Sequence, residues 1–303
     1  MRHLLSIADL RREDVEALFR LTAELKARRA EARTALTGRT LALLFEKPSL
    51  RTRVTFEVGM RQLGGEAIYL GAQEIQLGVR EPVPDVARNL GRWVDAIAAR
   101  AFRHATVEEL ARHAGVPVIN ALSDREHPCQ ALADFFTLWE RGQELDKFRL
   151  AWIGDGNNVC HSLLLLAGLV GAEIVCACPA GYEPDPGVAA RARELGARVE
   201  VIPDPREAAT GADALYTDVW ISMGQEAEQE TRRRAFRGYQ VNEDLLAFAR
   251  VGAVVMHCLP AHRGEEISEE TLDGPHSVVF DQAENRLHLQ KALLLTLLGG
   301  TAP

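Results

Sequence analysis

Residues 149–171 read RLAWIGDGNNVCHSLLLLAGLVG. A short apolar run leads into a turn of Gly, Asp and Asn, and a longer apolar segment of helical length comes next. Periodicity alone does not separate a buried strand from a buried helix, but length and the flanking glycines do. The stretch therefore reads as strand, tight turn, helix, which is one βα unit.

The same alternation extends in both directions. Upstream, strands are expected at TLALLF (40–45), EAIYL (66–70), AIAAR (96–100) and VPVINA (116–121), with helices near 9–30, 52–63, 83–92, 106–114 and 128–142. Downstream, strands are expected at EIVCACP (173–179), RVEVIP (198–203), ALYTDV (214–219), AVVMHCL (253–259) and SVVF (277–280), with a last helix from about Arg286 to Leu298. Strands alternating with helices specify an α/β fold of mostly parallel sheets flanked by helices. The polar stretch ERGQELDKF (140–148) divides two such halves. This places one domain over 1–135, a second over 136–285, and a closing helix over 286–303 that packs back on the first.

A chain of 303 residues is long enough for two cores. Its net charge of −8 disfavours nucleic acid and anionic membrane as partners. No apolar run approaches the ~20 residues that span a bilayer, and the N-terminus lacks the long apolar segment of a signal peptide. The five cysteines are odd in number and sit in apolar or site-like surroundings, as expected of a reduced, cytoplasmic protein.

In parallel sheets, ligands bind beyond the carboxyl ends of strands, and the unusual residues of this chain fall there. FEKPSLRTRVTFE (45–57) places Ser49, Arg51, Thr52 and Arg53 where a strand gives way to a helix. Backbone N–H groups at a helix start attract anions, and a guanidinium matches phosphate oxygens. The competing reading is a well-capped helix with a solvated basic turn. Arg100 ends a strand, an awkward place for a charge without a partner. His127 and Gln130 flank the start of a helix in HPCQ, where a lone His is commonly structural. Asn157 either holds a polar ligand or caps its helix. Asp218 ends one strand, and Ser222 stands four residues beyond it. His257 and Cys258 end another, and Arg286 opens the last helix.

Several classes are disfavoured. GDGNNV has Val159 where a dinucleotide fingerprint needs its third Gly, and no acidic residue closes the next strand. The Cys and His pairs lack structural-zinc spacing, and there is no G-x-S-x-G nucleophile elbow. No cofactor and no metal is expected. The charged segment 221–240 reads as a solvated loop or a lid, and Arg232–Arg234 within it as a wet surface.

Taken together, these residues resemble the aspartate/ornithine carbamoyltransferase family. SLRTR resembles the family's S-T-R-T-R carbamoyl-phosphate loop, with Leu50 in place of Thr. HPCQ matches H-P-x-Q, DVWISMG matches the D-x-x-x-S-M-G of the ornithine branch, HCLP matches its H-C-L-P, and AENRLHLQKA its C-terminal arginine helix. The motifs occur in order across nearly the whole chain. The resemblance implies an active site in the cleft between two domains. It implies carbamoyl transfer from carbamoyl phosphate to the δ-amine of L-ornithine, giving citrulline and phosphate in arginine biosynthesis. It also implies that Ser49, Leu50, Arg51, Thr52, Arg100, His127, Gln130, Cys258, Leu259 and Arg286 bind carbamoyl phosphate, and that Asn157, Asp218, Ser222, Met223, Cys258 and Leu259 bind ornithine. Arg100, His127, Asp218 and Cys258 would be catalytic. Gln76, in Q-x-G-x-x-E, would bind carbamoyl phosphate in a neighbouring subunit's site in a homotrimer or a multiple of trimers, although Pro82 and DVAR depart from the family's loop. Charge separates the branches: an aspartate enzyme would need cations where this chain has Asp218. N-acetylornithine would leave Asp218 without its charged partner, and putrescine would leave the α-group subsite empty. A non-catalytic amino-acid sensor on the same fold is the remaining alternative.

Overall fold

The computed structural model describes residues 1–28, 32–222 and 226–299. The chain forms two compact units, one of residues 1–136 with 284–303 and the other of residues 137–283. Each unit carries its own parallel sheet flanked by helices.

In the first unit the strands are β1 (Thr40–Phe45), β2 (Glu66–Gly71), β3 (Ala96–Arg100) and β4 (Val118–Leu122). The helices are α1 (Arg12–Ala27), α2 (Leu50–Gln62), α3 (Ala72–Ile75), α4 (Val83–Trp93), α5 (His104–Ala114) and α6 (Pro128–Glu140). The second unit has β5 (Arg149–Ile153), β6 (Glu173–Ala177), β7 (Arg198–Ile202), β8 (Ala214–Thr217) and β9 (Val254–His257). Its helices are α7 (Asn158–Val170), α8 (Pro186–Leu195), α9 (Pro205–Ala209), α10 (Gln229–Ala235), α11 (Glu243–Leu246) and α12 (Glu269–Leu272). The closing helix α13 (Val279–Leu298) begins in the second unit and ends in the first, while α6 runs the opposite way.

The sheet orders are β2-β1-β3-β4 and β7-β6-β5-β8-β9. In each, the chain leaves one central strand in one direction and later returns to build outward on its other side. The first sheet therefore has its switch point between β1 and β3, and the second between β5 and β8. Helices that cover a sheet on opposite sides of such a point diverge, which opens a crevice at the strands' carboxyl ends. Behind each crevice lies an apolar core: Ala42, Leu44, Ile97, Ala99, Leu110 and Val118 belong to that of the first unit, and Ile153, Val175, Leu215, Val255 and Ile267 to that of the second.

One expected element is absent. SVVF is not a strand: Ser277 makes an isolated bridge to Val255, and helix α13 begins at Val279, seven residues before Arg286. Its apolar run leads into the first helical turn, in which Val279 packs into the second core while Phe280 is exposed. No described helix is long and apolar enough to cross a membrane.

Candidate functional site

Each crevice holds a cluster of polar side chains, and strand register brings the members together. In the first unit β1 and β3 pair with Phe45 beside Arg100, so the loop after β1 starts next to that guanidinium. Ser49 is the N-cap of α2, its Oγ accepting the Thr52 backbone N–H at 3.3 Å. This cap leaves the first turn, with Arg51 and Thr52, at the helix's positive end. Leu50 is 75% exposed. Arg53 turns elsewhere: it pairs with Glu57 at 2.8 Å and stacks 3.8 Å over the Tyr69 ring.

A buried network closes the same cluster. Arg286 of α13 donates to Gln130 Oε1 at 2.5 Å and to Thr52 Oγ1 at 3.1 Å. Gln130 Nε2 donates to Asp134 Oδ1 one helical turn on at 2.8 Å, which fixes the amide's orientation. Burial first, and then Arg286, Arg100 and Arg51, hold the His127 imidazole well below its usual range, so it is neutral at pH 7. Burial likewise pushes the Cys129 thiol up to about 12 and keeps it protonated. Together Arg51, Arg100, Arg286 and a capped helix start make a local reversal of field in an acidic protein, the electrostatics of an anion site.

In the second unit Ile153 pairs with Thr217 and Thr217 with His257. Asp218 and Cys258 thus leave neighbouring strands side by side, and Cys258 Sγ donates to Asp218 Oδ1 at 3.0 Å. Asn157 takes the capping role its sequence position allowed, and also reaches Asp218. Its Oδ1 caps α7, accepting from the Val159 and Cys160 N–H groups at 2.9 and 3.2 Å, while its Nδ2 donates to Asp218 Oδ2 at 2.8 Å. The Val219 N–H adds a further donor to Asp218 Oδ1 at 2.8 Å. The intervening GDG turn needs its glycines. Gly154 sits at φ +133°, and a Cβ on Gly156 would come 2.1 Å from the Pro184 nitrogen.

The HCLP turn is held by its histidine. His257 Nδ1 accepts the Leu259 N–H at 2.8 Å, which places the ring proton on Nε2, facing Glu266 Oε1 at 3.1 Å. Leu259 adopts φ 58°. Donor atoms of Asp218, His257 and Cys258 lie within 4.8 Å of one another, as do those of His262, Glu265 and Glu266. With both ring nitrogens already engaged, His257 is not arranged as a metal ligand.

Ser222 lies four residues beyond Asp218, half-buried, and Met223 lies outside the described residues. Gln76 adopts a left-handed conformation (φ 46°) at the end of α3. The reading of Arg232–Arg234 as a wet surface is corrected for Arg232. That residue is 4% exposed, pairs with Asp155 and lies 4.7 Å over the Tyr182 ring. Asp134, Glu266 and the Asp155–Arg232 pair are not singled out by the sequence reading. Asp134 has a local signal, its i+4 spacing from Gln130.

Comparison with known proteins agrees with this geometry. Residues 2–140 match the model of the carbamoyl-P binding domain, and residues 146–297 that of the Asp/Orn binding domain, of aspartate/ornithine carbamoyltransferase. The chain belongs to the aspartate/ornithine carbamoyltransferase family. Among its relatives is the ornithine carbamoyltransferase of Thermus thermophilus, 57% identical over 98% of this chain and 97% of that protein. That of Archaeoglobus fulgidus is 52% identical over 99% of this chain and 98% of its own. The solved ornithine carbamoyltransferase of Pyrococcus furiosus superposes with a TM-score of 0.95 at 50% identity, covering 99% of this chain and 98% of that one.

Proposed function

We propose that this chain transfers the carbamoyl group of carbamoyl phosphate to the δ-amine of L-ornithine, giving L-citrulline and phosphate. The observation that carries the choice of acceptor is Asp218, a carboxylate at the second crevice that gathers Asn157 and Cys258. An anion there suits the α-ammonium of ornithine and repels the second carboxylate of aspartate. Asn157, Ser222 and the Met223 backbone then suit the α-carboxylate.

The phosphate of the donor is assigned to Ser49, Arg51, Thr52 and the start of α2. Charge builds on the carbamoyl oxygen in the tetrahedral transition state, and Arg100, His127 and Thr52 are assigned to meet it. A neutral His127 suits this role, because its N–H donates a hydrogen bond without the ring itself having to titrate. Preorganised donors of this kind contribute roughly 3–4 kcal/mol each. Gln130 holds the carbamoyl NH₂, while Arg286 fixes both Gln130 and Thr52. The attacking amine needs help, since an alkylammonium is neutral in only about one part in 2,500 at pH 7. Desolvation near Cys258 favours the neutral, nucleophilic form, against the pull of the Asp218 carboxylate.

The same reading takes the protein to be a cytoplasmic enzyme of arginine biosynthesis, assembled as a homotrimer or a multiple of trimers in which Gln76 completes a neighbour's site. A colorimetric citrulline assay on purified protein tests the activity. Citrulline from ornithine, with no carbamoyl transfer to aspartate, putrescine or N-acetylornithine, is the expected result. No turnover with any of the four would favour a sensor.

A further inference from the structure

One buried side chain joins two of the segments that carry the second crevice. Arg232, on α10, donates from Nε to the Trp220 carbonyl at 2.5 Å and from Nη2 to the Asp155 carboxylate. Trp220 lies two residues after Asp218 and two before Ser222, and Asp155 lies two before Asn157. A single guanidinium thus bridges the turn after β5 and the segment after β8. Its plane is held by the Tyr182 and Phe236 rings, 4.7 and 5.5 Å from Cζ, and Glu228 approaches Nη1 at 3.7 Å. The Asp155 end is equally fixed. Its carbonyl accepts the Trp152 indole N–H at 3.0 Å and the Asn157 N–H at 2.7 Å.

Such a pair adds little to stability, because desolvating two charges offsets their attraction. Asp155 shows the cost: burial, with a further push from Asp218, raises its carboxyl to about 6 although Arg232 pulls the other way. What the pair supplies is geometry.

We propose that Arg232 is a positioning residue for ornithine: by clamping Asp155 to Trp220 it fixes the spacing between Asn157 on one segment and Asp218 and Ser222 on the other. It touches no substrate, and its effect passes through the two segments it joins. This rests on the reading of the second crevice as the ornithine half-site.

The test uses the full chain with Arg232→Gln, Asp155→Asn and the double variant, each assayed for citrulline with both substrates varied, alongside urea unfolding. The double variant strands no buried charge, so it keeps the test decisive if a single variant does not fold. The expected result is an ornithine KM raised at least tenfold in every folded variant, a carbamoyl-phosphate KM within twofold of the parent, and a double variant no worse than the more damaged single one. Arg232→Lys, which keeps the charge, should recover part of the loss. An unchanged ornithine KM in the folded double variant overturns the proposal, as does an equal rise in both KM values or a double variant that fails to fold. If the parent makes citrulline and the variants keep its ornithine KM, only the clamp is refuted. If the parent makes no citrulline, both it and the reading beneath it fall.

Discussion

Arg286 and Thr52, 234 residues apart in sequence, lie 3.1 Å from each other, and the same guanidinium holds Gln130 at 2.5 Å. The last helix thereby fixes two side chains of the proposed anion site at once. Arg286→Met should strand a buried amide and a hydroxyl and weaken carbamoyl phosphate. Arg51→Met, on the first turn of α2, should lose the phosphate contact itself. We expect each to cost at least ~3 kcal/mol in kcat/KM for carbamoyl phosphate. Only the Arg286 variant should also lower the urea midpoint. Near-normal kinetics in Arg51→Met would remove that residue from the site.

Asp218→Asn should hurt ornithine far more than carbamoyl phosphate, because the proposed partner of the charge lost is the substrate ammonium. Calorimetry with each ligand separates the cases, and equal weakening of both would make Asp218 structural. Cys258→Ser keeps a donor toward Asp218 Oδ1 and should fold normally while raising the ornithine KM.

Acid should destabilise the first unit through His127. Its folded pKa lies well below the unfolded value near 6.5. The unfolded chain therefore binds the extra proton first, and stability is lost as pH falls through 6.5. Asp155 acts in the opposite sense. Its folded pKa of about 6 exceeds the unfolded 3.8, so its contribution is fully present below 3.8 and lost as pH rises through 6. Urea midpoints between pH 5 and 8 for the parent, His127→Gln and Asp155→Asn check both signs. The His127 variant should lose acid sensitivity and the Asp155 variant should gain it.

Mixing Gln76→Ala with Arg51→Met protomers tests the assembly. If Gln76 completes a neighbour's site, mixed rings contain sites free of both lesions and regain activity. No recovery in verified mixed trimers, or a fully active monomer, would rule the shared site out.

The nine strands among the described residues are legible in the sequence because each is a short, largely apolar run bounded by turn residues. SVVF misleads because three apolar residues carry no period, and a helix and a strand that begin this way diverge only at the residues after Phe280. Register cannot be read from the string, yet it is what sets Asp218 beside Cys258 and Arg100 beside Phe45. The correction at Arg232 has a similar source. Three successive arginines look alike in a string, but successive helical residues point about 100° apart, so one can face inward while its neighbours stay wet. Contacts such as Arg286 to Thr52 depend on tertiary packing and leave no local trace.

Each sheet's reversal of strand order has an implication for how such a protein can change. The residues proposed to hold the acceptor hang from three strand ends, after β5, β8 and β9, and those proposed to hold the donor largely from others with a separate core behind them. On the proposed assignment, a substitution just past β8 would therefore alter the charge offered to an incoming amine while the donor's cradle keeps its shape. Acceptor preference becomes a trait that single codons can move, on a scaffold that need not be refolded to accommodate them.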